Sequence, residues 1–175
     1  MPSKALREEC LPEKLRALMA GRCVVVLGVG NPLRGDDGFG PAVAARLAAG
    51  APAGLAVIDA GSAPENFAGA LRRERPEVLL ALDAADFGGA PGELRLLAPG
   101  ELAAAGLSTH AASLTMLFDY LGAECGTESR VLAVQAASVA MGEELSAPVA
   151  QAAARAAELL RNLLPKSTQG TGGAR

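Results

Sequence analysis

The fold is decided by Cys23-Val-Val-Val-Leu-Gly-Val29, a short, continuous and mostly β-branched apolar run near the start of the chain. Such a run is typical of a strand that is buried on both faces of a parallel sheet. A loop rich in glycine follows, and the segment 40–47 then places its apolar residues on one helical face. We therefore predict a strand, a loop and a helix as the first unit of an α/β domain.

The alternation of strand and helix continues along the chain, and we find no internal repeat with a solenoid period. This order favours a mostly parallel sheet of about five strands, covered by helices on both faces and joined by right-handed crossovers. The strand at 93–97 alternates polar and apolar residues, as edge strands do. The other strands are predicted at 55–58, 78–82 and 130–135, and the other helices at 62–73, 99–105, 109–122 and 148–164.

The chain has 175 residues, half of them apolar, which suits one domain with a sizeable core. Residues 1–21 contain leucines at helical spacing, and we predict that they form a helical extension docked on the domain. Residues 22–164 are predicted to form the single α/β domain. The residues 165–175 are rich in Ser, Thr and Gly and are predicted to be a disordered tail.

Composition argues against several classes of partner. The net charge of −3 and the scattered basic residues make nucleic acid an unlikely partner. Cys10, Cys23 and Cys125 are widely spaced and form no C-x-x-C pair, which favours a reducing compartment. No apolar run approaches the roughly 20 residues of a membrane span, and the polar start does not resemble a secretory signal. We therefore expect a cytoplasmic protein with neither nucleic acid nor membrane as a partner.

The glycine-rich loop after the first strand suggests a dinucleotide fingerprint, but Leu33 stands where the third glycine belongs. Asp36 and Asp37 also lie where a pyrophosphate would approach the helix start, and they would repel it. Adjacent carboxylates suit a cation instead. The alternative is that one of them only caps the following helix.

Three further carboxylates follow predicted strands, so that they are expected at the same edge of the sheet. Asp59 and Asp83 each end a strand that we predict to be buried, and Asp86 lies three residues after Asp83. Ligands of open parallel sheets gather at the carboxyl ends of strands, so these residues are candidates for a site. Each of them can equally be a turn former or a cap.

His110 is the only histidine, which excludes any site with several histidines. Two carboxylates with one imidazole and open positions can bind divalent first-row metals. The alternative for His110 is a structural residue satisfied by a hydrogen bond. A serine hydrolase triad is disfavoured, because there is no G-x-S-x-G motif and the candidate serines occupy capping or loop positions, namely Ser62, Ser108 and Ser113. Cys23 is a poor nucleophile, because we predict that it is buried in the first strand, where an apolar environment raises the pKa of a thiol.

These residues resemble a known family, the endopeptidases that mature the large subunit of [NiFe] hydrogenases. The matching segments follow one another in family order across roughly residues 23–160. The segment 59–66 is most similar to the branch that serves hydrogenase 3 of the formate-hydrogenlyase type. The segments are Gly28-Val-Gly-Asn31, Asp36-Asp37-Gly-Phe-Gly40, Asp59-Ala-Gly-Ser-Ala-Pro-Glu-Asn66, Asp83-Ala-Ala-Asp86, Pro91-Gly-Glu93 and Ser108-Thr-His110.

The resemblance implies a three-layer α/β/α domain of the phosphorylase/hydrolase-like type. It implies that Asp37, Asp83 and His110 bind nickel and carry the catalytic step, with Asp37 one methylene shorter than the Glu of many members. The nickel would be borne by the substrate, and other divalent metals could substitute for it. The implied substrate is the precursor of the large subunit, which loses a C-terminal extension. If the three residues share one ion, their polar atoms should converge to roughly 3–4 Å.

Two other readings remain open from the sequence. The first is a nucleotide-binding α/β protein, which the glycine-rich loop favours and the acidic pair disfavours. The second is a non-enzymatic nickel-binding factor of hydrogenase assembly, because no conventional nucleophile is evident.

Overall fold

The computed structural model describes residues 10–49, 56–102 and 110–163. Their strands form one sheet in the order β2-β1-β3-β5-β4. Neighbouring strands are parallel, except that β4 runs antiparallel to β5 at one edge. This confirms the predicted α/β class with a five-stranded, mostly parallel sheet. The strands are β1 (Val24–Val29), β2 (Ala56–Gly61), β3 (Val78–Ala85), β4 (Leu94–Leu97) and β5 (Glu128–Gln135).

Helices cover both faces of the sheet, because alternate residues of the central strands point to opposite sides. Val24 and Val26 of β1 pack with α1, α2 and α5, whereas Val25 and Leu27 pack with α3 and α4 on the other side. The three layers are therefore those that the resemblance implies. The helices are α1 (Leu11–Met19), α2 (Phe39–Ala48), α3 (Ala68–Glu74), α4 (Ala111–Cys125) and α5 (Ala147–Leu163), with short 3₁₀ turns at Gly35–Gly38, Pro64–Phe67 and Pro99–Glu101.

The predicted lead-in helix is present as α1. Proline in its first turn costs no backbone hydrogen bond, and Leu11, Leu15 and Leu18 lie on one buried face. This face joins the same apolar core as α2 and α5. Residues 1–9 and the predicted tail 165–175 lie outside the described residues, so the proposed domain limits stay predictions. The end of the helix predicted at 99–105 and Ser108 lie outside them as well.

None of the helices in the described ranges is long and apolar enough to cross a membrane.

Several local predictions were wrong. Cys23 is exposed rather than buried, because β1 begins only at Val24. β2 is not a buried strand: it lies at the sheet edge, so most of its residues are only partly buried. The helix predicted at 62–73 is shorter, since a 3₁₀ turn at Pro64–Phe67 without a side-chain cap precedes α3, which begins at Ala68. Neither Asp59 nor Asp83 ends its strand, since β2 continues to Gly61 and β3 to Ala85.

Candidate metal centre

The loop after β1 lies tightly against the carboxyl edge of the sheet, and its glycines make this possible. A Cβ on Gly40 would lie 2.3 Å from the carbonyl oxygens of both Val29 and Leu82. Gly30 has a φ of +129°, and a Cβ there would lie 1.9 Å from the carbonyl oxygen of Asp37. The glycines that suggested a nucleotide loop therefore serve close backbone packing, and this packing holds Asp37 over the sheet edge.

Asp37 is buried in the 3₁₀ turn that leads into α2. The backbone N–H of Asn31 donates a hydrogen bond to its Oδ2 at 2.8 Å. Its Oδ1 lies 3.5 Å from Nε2 of His110. One carboxylate oxygen is thus fixed by its own loop, and the other faces the imidazole.

Asp83 is fully buried within β3, and the topology explains its placement. β1 pairs with β3 only as far as Gly28 and Leu82, so Asp83 is the first β3 residue beyond that pairing. Residues at even spacing share a face, so Asp83 points to the same side as Leu79 and Ala81, which is the side covered by α4. His110 immediately precedes α4, and this brings the imidazole to the same side.

The three predicted ligands converge. One ligand atom each from Asp37, Asp83 and His110 lies within 4.8 Å of the other two, and all three residues are buried. No other such group of His, Cys, Asp or Glu occurs within residues 10–49, 56–102 and 110–163. The 3.5 Å between Asp37 and His110 matches the roughly 3–4 Å expected for ligands that share one ion, while 4.8 Å is the upper limit for the group as a whole.

The charges of the cluster are coupled. The pKa of His110 is raised above its ordinary value, mainly by a hydrogen bond with Asp37. Burial of the imidazole lowers this pKa, whereas the charges of Asp83 and Asp37 and a hydrogen bond to the backbone of Ser62 raise it further. Burial pushes the pKa of Asp37 upward, but hydrogen bonds with His110 and Asn31 and nearby positive charge outweigh burial and lower it. Without a cation, the cluster therefore favours an imidazolium beside a carboxylate.

Asp36 has a different role from its neighbour Asp37. Its fully buried carboxylate accepts hydrogen bonds from the backbone N–H groups of Ala137, Ser138 and Ser146, and from the hydroxyl of Ser146, at 2.7–3.2 Å. Neither aspartate caps the 3₁₀ turn or α2 with its side chain. The predicted acidic pair is thus split between an anchor for a distant loop and a member of the cluster.

Asp59 and Asp86 do not join the cluster. Both are exposed, and Asp59 accepts a hydrogen bond from the backbone of Gly61 within its own turn. Asp86 accepts from the side chain of Gln135 and the backbone N–H of Gly88, and these bonds lower its pKa. Both residues therefore have the turn-forming role that was their alternative reading.

Sequence reasoning missed the groups that hold the cluster in place. These are the backbone of Asn31 beside Asp37, the backbone of Ser62 beside His110, and the loop 137–146 bound by Asp36. The Asn31-Pro32 pair marks a turn, which is the one local signal among them. The other two contacts join segments distant in the chain and leave no local pattern.

The fold and the cluster together define a class, a three-layer α/β protein that presents two carboxylates and one imidazole at the carboxyl edge of its sheet. A family model described as hydrogenase maturation protease matches residues 41–162, a range that includes Asp83 and His110 and begins just after Asp37. The chain belongs to the hydrogenase maturation protease family, whose members are hydrolases that act as endopeptidases.

Individual relatives agree with this assignment. The chain is 45% identical over 103 residues to the hydrogenase 3 maturation protease of Escherichia coli strain K12. The aligned residues make up 58% of this chain and 66% of that protein. It superposes on the crystal structure of HycI from Thermococcus kodakarensis KOD1 with a TM-score of 0.79 and 30% identity, over 86% of this chain and 98% of the other. For the solution structure of the endopeptidase HycI from Escherichia coli, the TM-score is 0.71 with 35% identity, over 79% and 89%.

Proposed function

We propose that this protein recognises nickel in the precursor of a [NiFe]-hydrogenase large subunit and removes the C-terminal extension of that precursor. The observation that carries the proposal is the convergence of Asp37, Asp83 and His110, which come from three separate segments of the chain. The proposed substrate belongs to the hydrogenase 3 type, in line with the 45% identity to a hydrogenase 3 maturation protease. The proposed compartment is the cytoplasm, where the unpaired cysteines would stay reduced.

The chemistry of the three side chains suits this role. Two carboxylate oxygens and one imidazole nitrogen are ligands that Ni²⁺ accepts, and they leave positions open for groups of the precursor. In this proposal the nickel arrives with the substrate, reports that the precursor is loaded, and polarises the scissile carbonyl or a water molecule. A carboxylate of the cluster, Asp37 or Asp83, serves as general base. The lowered pKa of Asp37 keeps its carboxylate ionised, as a metal ligand must be.

The test is to incubate the purified protein with nickel-loaded and nickel-free precursor, and to follow the mobility of the large subunit on a gel. We expect cleavage of the loaded precursor only. His110→Ala and Asp37→Asn should each lower the cleavage rate by about 100-fold or more, because each removes a metal ligand. Asp119→Asn is the matched control, since Asp119 is an exposed carboxylate on α4, the helix that His110 precedes.

Circular dichroism of each variant separates loss of function from loss of fold. Full activity in both cluster variants would contradict the proposed site. Binding of nickel-loaded precursor without any cleavage would instead support the non-enzymatic assembly factor. Heat on titration with NAD or ATP would support the nucleotide-binding alternative.

A further inference from the structure

Three large apolar side chains are exposed on two adjoining loops. The exposed fraction is 67% for Leu33, 44% for Val139 and 69% for Met141. The two loops are joined at this surface, because Gly142 donates its backbone N–H to the carbonyl oxygen of Leu33 at 2.8 Å. The side chain of Arg34 donates to the carbonyl oxygen of Val139 at 3.4 Å. We call the surface of Leu33, Val139 and Met141 the apolar rim.

The apolar rim lies next to the metal cluster. Leu33 precedes Asp37 by four residues, so their Cα atoms are at most roughly 14 Å apart even for an extended chain. The actual path is folded back, since the N–H of Asn31 binds the carboxylate of Asp37. The rim is therefore within reach of a protein that brings a nickel ion to Asp37.

The loops that carry the rim are held in place by partly buried hydrogen bonds. Asp36 ties them together through the bonds to residues 137, 138 and 146 described above. Its own N–H donates to the carbonyl oxygen of Ser138 at 2.9 Å, and that of Gly35 donates to Glu143 at 3.0 Å. A partner that binds here meets a preorganised surface, so less conformational entropy is lost on binding.

We propose that the apolar rim is a docking surface for the precursor beside its nickel site, and that it sets the affinity for that substrate. This inference rests on the proposed function and adds a specificity-determining surface to it. A second copy of this chain is a weaker occupant, because a stable interface uses roughly 20–30 residues a side and three side chains are too few without another anchor. The precursor brings such an anchor in its nickel.

The test compares the cleavage kinetics of the full-length wild type and of the double variant Leu33→Ser/Met141→Ser with nickel-loaded precursor. We expect KM to rise by about tenfold while kcat stays within about twofold, because docking is weakened and the cluster is untouched. Met116→Ser is the matched control: Met116 is 71% exposed but lies on α4, outside the rim. Its KM should equal that of the wild type. Calorimetry with Ni²⁺ alone should give the same affinity for all three proteins.

Each outcome decides between the two proposals. A wild type that cleaves, with a double variant of unchanged KM, overturns the docking surface and leaves the proposed function standing. If the wild type binds the precursor but does not cut it, the function fails, and a Kd that rises about tenfold in the double variant still supports the rim. If the wild type neither binds nor cuts the precursor, both proposals fall. Sedimentation that shows a wild-type dimer and a monomeric double variant would make the rim an interface between copies and overturn its assignment to the precursor.

Discussion

The loops after β1 and β2 contain the same local elements, but only the β1 loop contributes a residue to the metal cluster. A glycine of positive φ, Gly30 or Gly61, stands where each strand meets its loop, and each loop passes through a 3₁₀ turn into a helix, α2 or α3. The β1 loop carries two buried aspartates, one in the cluster and one bonded to a distant loop. The β2 loop follows an exposed aspartate, Asp59, whose carboxylate accepts a hydrogen bond from the nearby backbone N–H of Gly61.

The position of each strand in the sheet explains the difference. β1 lies between β2 and β3, so the loop that leaves it passes over the neighbouring strand that carries Asp83. β2 lies at the edge and has a neighbour on one side only. The same local elements thus form part of a candidate site after an inner strand and an ordinary turn after an edge strand.

The largest difference in stability between the two loops is expected from substitution of Asp36. Asp36→Ala removes a fully buried acceptor of four partly buried hydrogen bonds, and we expect a loss of roughly 3–5 kcal/mol in the free energy of unfolding. Asp59→Ala, near the end of β2, should change it by no more than about 0.5 kcal/mol, as surface substitutions usually do. Urea denaturation measures both. Equal effects at the two positions would contradict the anchoring role of Asp36.

A smaller effect is expected from two glycines at matched positions, the second residues of α2 and α3. Gly40→Ala should destabilise the protein by about 1–3 kcal/mol, because its Cβ would meet the backbone of β1 and β3. Gly69→Ala meets only the tip of the Arg73 side chain at 4.0 Å and should stabilise its helix by up to about 1 kcal/mol. Thermal unfolding checks the signs, and a stabilising Gly40→Ala would show that the loop does not need this close approach.

The smallest effect concerns pH and is confined to the β1 loop. The pKa of His110 is raised in the folded protein, mainly by its hydrogen bond with Asp37. Folding therefore gains stability from this pair below the ordinary value of 6.5, and the gain is lost as pH rises through the folded pKa. The melting temperature of the metal-free protein should show this fall in the wild type and in Asp59→Asn, and a weaker one in Asp37→Asn. An unchanged profile in Asp37→Asn would contradict the pairing.

Metal binding should have the opposite pH dependence from this stabilisation, because a cation must displace the proton of His110. The affinity for Ni²⁺ is expected to fall by up to about tenfold for each pH unit below the pKa of His110. Calorimetry at several pH values measures the slope, and a pH-independent affinity would argue that His110 is not a ligand.

The sequence predicted the layers because their cause is local. Alternating strand and helix periodicity follows from which residues must be buried, and the apolar run at 23–29 located β1 to within one residue. The pairing of Asp37 with Asp83 and His110 was reached through a resemblance, and the geometry agrees with it. Local patterns could not separate Asp59 from Asp83, because both follow short apolar runs and only the strand order distinguishes them. The anchoring role of Asp36 could not be predicted from local patterns either, since its partners lie about a hundred residues away in the chain.

That long separation has a consequence for the synthesis of the protein. The ribosome releases Asp36 and Asp37 early, but the groups that hold Asp36 lie 101–110 positions downstream. At roughly 5–20 residues per second, the nascent chain spends about 5–20 s with its first acidic loop unanchored. A product truncated before Ser146 lacks two of the four donors to Asp36, so premature termination should yield chains without an ordered cluster.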